Sequence, residues 1–142
     1  MSAFRISMIW DLLTTLLGTL ILLNSISFIS LGISLVGTLT VGAFNFATKS
    51  IWAVRNARGI EVLLLKFAWM LAIAFDFWTS LTCNATYVAL GRFEIGGSFD
   101  FARLFATLNL SQILIVFFVT IIATLGPMLV GYIRDRDLDF LA

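Results

Sequence analysis

Histidine is absent from this sequence, and cysteine and proline occur once each, at Cys83 and Pro127. Without an imidazole, a His-ligated haem, a Cys/His zinc site and a His-based nucleophilic triad are all excluded within one chain. A single thiol closes no intrachain disulfide, so Cys83 is expected to be a small apolar packing residue inside a helix. No glycine-rich phosphate loop, metal motif or nucleophile motif appears. The expectation is a non-enzymatic chain with no catalytic residues, no metal and no cofactor.

Charge is scarce as well: 12% of the 142 residues are charged and 61% are hydrophobic, against about 25% and about 45–50% in soluble domains. A water-soluble fold of this size would have to present wide apolar patches. The charges are also segregated. None lies between Leu12 and Thr48, and none between Leu104 and Ile133; Phe67 to Leu90 is interrupted only by Asp76. About 20 apolar residues suffice to cross a hydrocarbon core, so the chain reads as an all-α integral membrane protein. The lipid bilayer is its first partner and no nucleic acid is expected, because the basic stretch is short and flanked by membrane.

The uncharged N-terminal stretch is far too long for one straight crossing and is expected to fold back at Asn24-Ser25-Ile26-Ser27, where Asn and Ser compete for backbone hydrogen bonds. Residues 1–142 then form a single transmembrane domain, a compact bundle of four helices with short loops. The helices run over about 7–23, 28–48, 61–90 and 104–133. A three-helix arrangement with the first helix long and tilted is the alternative. Arg5 ahead of an apolar run that ends near Ser25 has the outline of a secretory signal. Asp11, however, sits where the apolar region would begin, and the segment is expected to be retained.

Loop 49–59 is basic, with Lys49, Arg55 and Arg58 and no acid, and reads as cytoplasmic; Trp52 within it reads as an interface anchor. Residues 91–103 read as the outer loop, with Gly96-Gly97-Ser98 as a turn. In the four-helix scheme Arg5, Lys49, Arg55, Arg58, Lys66, Arg134 and Arg136 fall on one side, Arg92 and Arg103 on the other. The positive-inside rule then places both termini in the cytoplasm. Gly126-Pro127 predicts a kink in the last helix, because proline removes a donor and crowds the preceding turn.

Asp76 is the most conspicuous residue, a carboxylate near the centre of an apolar span, where it is expensive. Thr79, Ser80, Cys83 and Tyr87 follow at helical spacing and make one polar stripe. The stripe reads either as an ion or proton path or as a structural seam in which Asp76 bonds to partners such as Asn109 or Gln112. Those two amides share one face of the last helix, where amides commonly hold helices together. In the second helix Ser30, Ser34, Thr38 and Gly42 recur every four residues, a small-residue seam suited to close packing against the first helix, where Thr14 and Gly18 share the spacing, or against another copy.

Asn84-Ala85-Thr86 matches a glycosylation acceptor pattern but falls inside an expected span. The functional expectations are three. The first is a homo-oligomeric ion or small-solute channel lined by Asp76, Thr79, Ser80, Cys83, Asn109 and Gln112. The second is an accessory subunit of a larger membrane complex. The third is a small ion-coupled transporter using Asp76, for which one isolated carboxylate gives the thinnest support.

Overall fold

The computed structural model describes residues 3–54, 59–95 and 100–134. Arg55, Arg58, Gly96-Gly97-Ser98 and Arg136, to which the sequence assigned loop and orientation roles, lie outside the described residues, as does the side chain of Arg134. The described residues form helices α1 (Ala3–Leu23), α2 (Phe28–Phe46), α3 (Thr48–Ala53), α4 (Ile60–Leu90), α5 (Phe101–Ala106) and α6 (Leu110–Arg134), with no strand among them.

The fold-back falls where the polar cluster places it. Asn24 takes a left-handed φ of 53°, a conformation that Asn tolerates better than most residues. Ser27 then caps α2: its side chain accepts from the Ser30 backbone N–H at 3.1 Å, and the Ser30 hydroxyl accepts from the Ser27 backbone N–H at 2.7 Å. This reciprocal box satisfies backbone donors that a helix start otherwise leaves open.

Among the described residues, three helices are long and apolar enough to cross a membrane: Arg5–Leu23 of α1, Phe28–Phe46 of α2 and Leu110–Tyr132 of α6. Their outward faces are apolar, with Phe28 93%, Ile29 72% and Leu110 72% exposed. The interior is conspicuously rich in hydroxyl residues, including Thr14, Thr15, Ser34, Thr79, Ser80, Thr82, Thr86 and Thr120. Large apolar side chains outside and small polar ones inside suit a molecule whose surroundings are hydrocarbon, where apolar contact alone gives helices no reason to associate.

Helix α4 is the centre of this arrangement and packs against each of the other five helices. Every residue from Thr79 to Thr86 is buried, so this part of the helix has no outward face. Its sequence there, Thr-Ser-Leu-Thr-Cys-Asn-Ala-Thr, is nearly all small, which lets neighbours come close on every side. The polar stripe expected along one face thus lies, from Thr79 to Cys83, in a segment enclosed all round, whereas Tyr87 at its end is 48% exposed. Closest of all is α1: a Cβ built on Gly18 would overlap the carbonyl oxygen of Thr79. At Gly126 of α6 a Cβ would lie 2.6 Å from the Ser7 hydroxyl oxygen of α1. Gly18 of the first helix thus meets α4, whereas Gly42 of the α2 seam meets Leu12 of α1.

Two expected elements are corrected. The last helix, expected over about 104–133, is two helices, because Asn109 starts a new one. Its side chain accepts from the Gln112 N–H at 2.9 Å, and the Gln112 side chain accepts from the Asn109 N–H at 3.0 Å. The second helix stops at Phe46 and Thr48–Ala53 forms the separate α3, which buries Ile51 and sets Trp52 edge-on against Trp69 at 5.3 Å. Pro127 sits inside α6, which continues through it to Arg134.

Replacing Gly18 by Ala forces α1 and α4 apart and is expected to lower unfolding stability in detergent by about 1–3 kcal/mol. Gly32→Ala is the control: nothing lies within 4 Å of its Cβ position, and the change is expected to be neutral or to stabilise by up to about 1 kcal/mol. Equal losses for the two variants would contradict the close packing at Gly18.

Candidate functional site

Asp76 is fully enclosed, and both of its carboxylate oxygens have partners on other helices. The Thr15 hydroxyl of α1 lies 2.6 Å from Oδ1, and the Asn45 amide nitrogen of α2 donates to Oδ2, also at 2.6 Å. Hydrogen bonds to a charged acceptor are short and strong, and here they tie three helices together at one side chain. The partners are Thr15 and Asn45. Asn109 and Gln112 are occupied with each other at the start of α6, at the protein surface, and do not reach Asp76.

A second carboxylate is enclosed in the same bundle. Asp11 of α1 is 1% exposed and lies one helical turn before Thr15. The Thr15 hydroxyl oxygen links the two residues directly, 2.8 Å from the Asp11 backbone carbonyl oxygen and 2.6 Å from Asp76 Oδ1. One turn along, the Thr14 hydroxyl lies 3.0 Å from the same Asp11 carbonyl and 2.8 Å from the Ser80 hydroxyl. No Lys or Arg is buried among the described residues.

Around this core the remaining predicted residues take distinct places. Thr79 bonds back to carbonyls of its own helix, at Phe75 and Asp76, and Cys83 is a buried free thiol. Ser30, Ser34, Thr38 and Gly42 all face the interior. Asn84, in the triplet that matches a glycosylation pattern, donates to Thr120 of α6 at 3.0 Å and accepts from the Trp10 indole N–H at 3.3 Å. Gly126 and Pro127 are buried against the N-terminal turns of α1 and within α6, apart from the carboxylates.

Asp11, Thr15 and Asn45 were not among the candidates read from the sequence, and Thr14 entered only as a packing position of the first helix. A local signal for three of them exists: Asp11-Leu12-Leu13-Thr14-Thr15 and Asp76-Phe77-Trp78-Thr79-Ser80 share an acid followed by hydroxyls three and four residues on. The two copies are the segments that hydrogen-bond to each other. Asn45 has no comparable signal, because it lies near the end of an apolar helix and finds its partner only in three dimensions.

Comparison with protein-family models, with curated proteins and with solved structures returns no match for this chain.

Thr15→Val keeps the shape and removes the hydroxyl shared by Asp11 and Asp76. It is expected to cost about 1–2 kcal/mol in reversible unfolding in mixed micelles. Thr38→Val removes only a bond to Ser34 within its own helix and should cost less than about 0.5 kcal/mol. A Thr15 variant as stable as the Thr38 variant would separate Asp76 from the stability of the bundle.

Proposed function

We propose that this chain is a small, non-enzymatic, multi-pass membrane protein that works as an ion-coupled transporter, with Asp76 as the group that binds and releases the ion. The observation that carries the reading is Asp11. A lone carboxylate gives weak support for coupling, whereas two carboxylates enclosed in one bundle, with no buried cationic side chain among the described residues, form a place where a mobile positive ion is stabilised. On this reading α4 is a fourth membrane crossing. Its polar composition is tolerated because its neighbours screen Thr79–Thr86 from lipid.

The pore reading draws less support. It calls on the small-residue seam of α2 to bring copies of the chain together, and Ser30, Ser34, Thr38 and Gly42 are already buried within the chain. It also calls on Asn109 and Gln112 as lining residues, and these cap a helix. The accessory-subunit reading draws on no particular feature of the site.

The test is flux in liposomes containing the purified chain, under an imposed membrane potential, with one arm reporting internal pH and another reporting uptake of radioactive sodium. Saturable flux in either arm, reduced at least about tenfold by Asp76→Asn, is the expected result. Stepwise single-channel currents would favour the pore instead, and no flux in either arm would overturn transport.

A further inference from the structure

Five buried side-chain atoms lack a hydrogen-bond partner among the described residues: Asp11 Oδ1, Ser34 Oγ, Asn45 Oδ1, Thr82 Oγ1 and Thr124 Oγ1. Three are hydroxyls, whose proton rotates and can turn toward a carbonyl of its own helix. The other two, a carboxylate oxygen and an amide carbonyl oxygen, are acceptors, and burying an acceptor without a donor is costly. Asp11 is 1% exposed and Asn45 is fully buried, so water does not reach either from outside.

One orphaned oxygen belongs to Asn45, whose amide is held at the Asp76 carboxylate; the other belongs to Asp11, one helical turn before the Thr15 that bonds to Asp76. Asn45 donates its amide to Asp76 Oδ2 at 2.6 Å, which puts the carbonyl oxygen of the same amide beside the carboxylate. Gly42, three residues before Asn45, meets the Leu12 side chain, so the turn of α2 that carries Asn45 adjoins the turn of α1 that carries Asp11. The Thr15 hydroxyl then bridges from that turn of α1 to Asp76 Oδ1. Helices α1, α2 and α4 thus bring two carboxylates and one unpartnered amide carbonyl to one place.

We propose that Asp11 Oδ1, Asn45 Oδ1 and the Asp76 carboxylate form a binding site for a dehydrated monovalent metal cation of the sodium type. The assignment deepens the ion-coupled reading and rests on it for the site's role in transport. Hard cations take carboxylate and carbonyl oxygens, and these are the donors present. Magnesium holds its water shell tightly and calcium takes six to eight oxygens. Here both oxygens of Asp76 already accept a hydrogen bond, and the site is closed to bulk water. A monovalent ion holds its water less tightly than magnesium and leaves one residual negative charge, which the Thr15 and Asn45 donors help to carry.

Thermal unfolding of the intact chain in detergent tests this, at fixed pH and ionic strength, with sodium exchanged for choline, potassium, calcium or magnesium. Sodium is expected to raise the unfolding temperature saturably, by about 5 °C at concentrations far above the dissociation constant, and the rise should vanish in Asp11→Asn. If that variant does not fold, the cation series on the unaltered chain and equilibrium binding of radioactive sodium decide alone. An unfolding temperature that ignores cation identity and follows only pH would overturn the proposal in favour of a proton. A response to calcium or magnesium without one to sodium would overturn it equally. Sodium binding without flux in liposomes would retain the site and remove the transport reading; proton flux without sodium binding would do the reverse.

Discussion

Withdrawing a carboxylate from water requires the protein to replace the hydrogen bonds and the screening that water supplied. At Asp76 the replacements come from two different helices, with Thr15 on one oxygen and Asn45 on the other. That requirement ties α1, α2 and α4 to one another: a shift of about 1 Å takes a 2.6 Å bond beyond hydrogen-bonding distance. Asp11 raises the demand, since a second buried carboxyl group has to be satisfied and no Lys or Arg is buried among the described residues.

The rest of the interior can be understood as what allows such a close approach. Side chains around the pair are Thr, Ser, Gly, Ala and Cys, short enough for helices to come near backbone to backbone, as Gly18 does at Thr79. Buried hydroxyls also turn onto their own helix, as Thr19 and Thr86 do on the carbonyls of Thr15 and Thr82, each at 2.7 Å. Polarity inside is thereby tolerated without a continuous network. Many large apolar side chains lie on the outer faces, while a smaller set, including Ile21, Leu81 and Val116, is buried.

Features governed by local chemistry were legible in the sequence. The fold-back at Asn24 to Ser27 was, because Asn tolerates a left-handed φ and Ser caps the following helix; so was the inward-facing row of Ser30, Ser34, Thr38 and Gly42, which helical spacing alone puts on one face. Asn109 and Gln112 misled for a related reason: a spacing of three residues suits both a shared helix face and a reciprocal cap, and only the break after Ala106 decides between them. Asp11 was read as an obstacle to a signal peptide, and its likeness to the segment that begins at Asp76 acquires meaning only once α1 lies against α4. The pairing of Asn45 with Asp76 is a long-range contact, and neither residue's neighbours in the chain foretell it.

Asp11 and Asp76 are expected to act as one unit inside the bundle. A double-mutant cycle measures this directly: unfolding free energies of Asp11→Asn, Asp76→Asn and the double variant, compared with the parent under one buffer condition. Coupled groups give a double variant whose stability departs from the sum of the single effects by more than about 1 kcal/mol, because removing either charge relieves the other. Additivity within about 0.5 kcal/mol would mean that the two carboxylates do not sense each other, and would contradict the account.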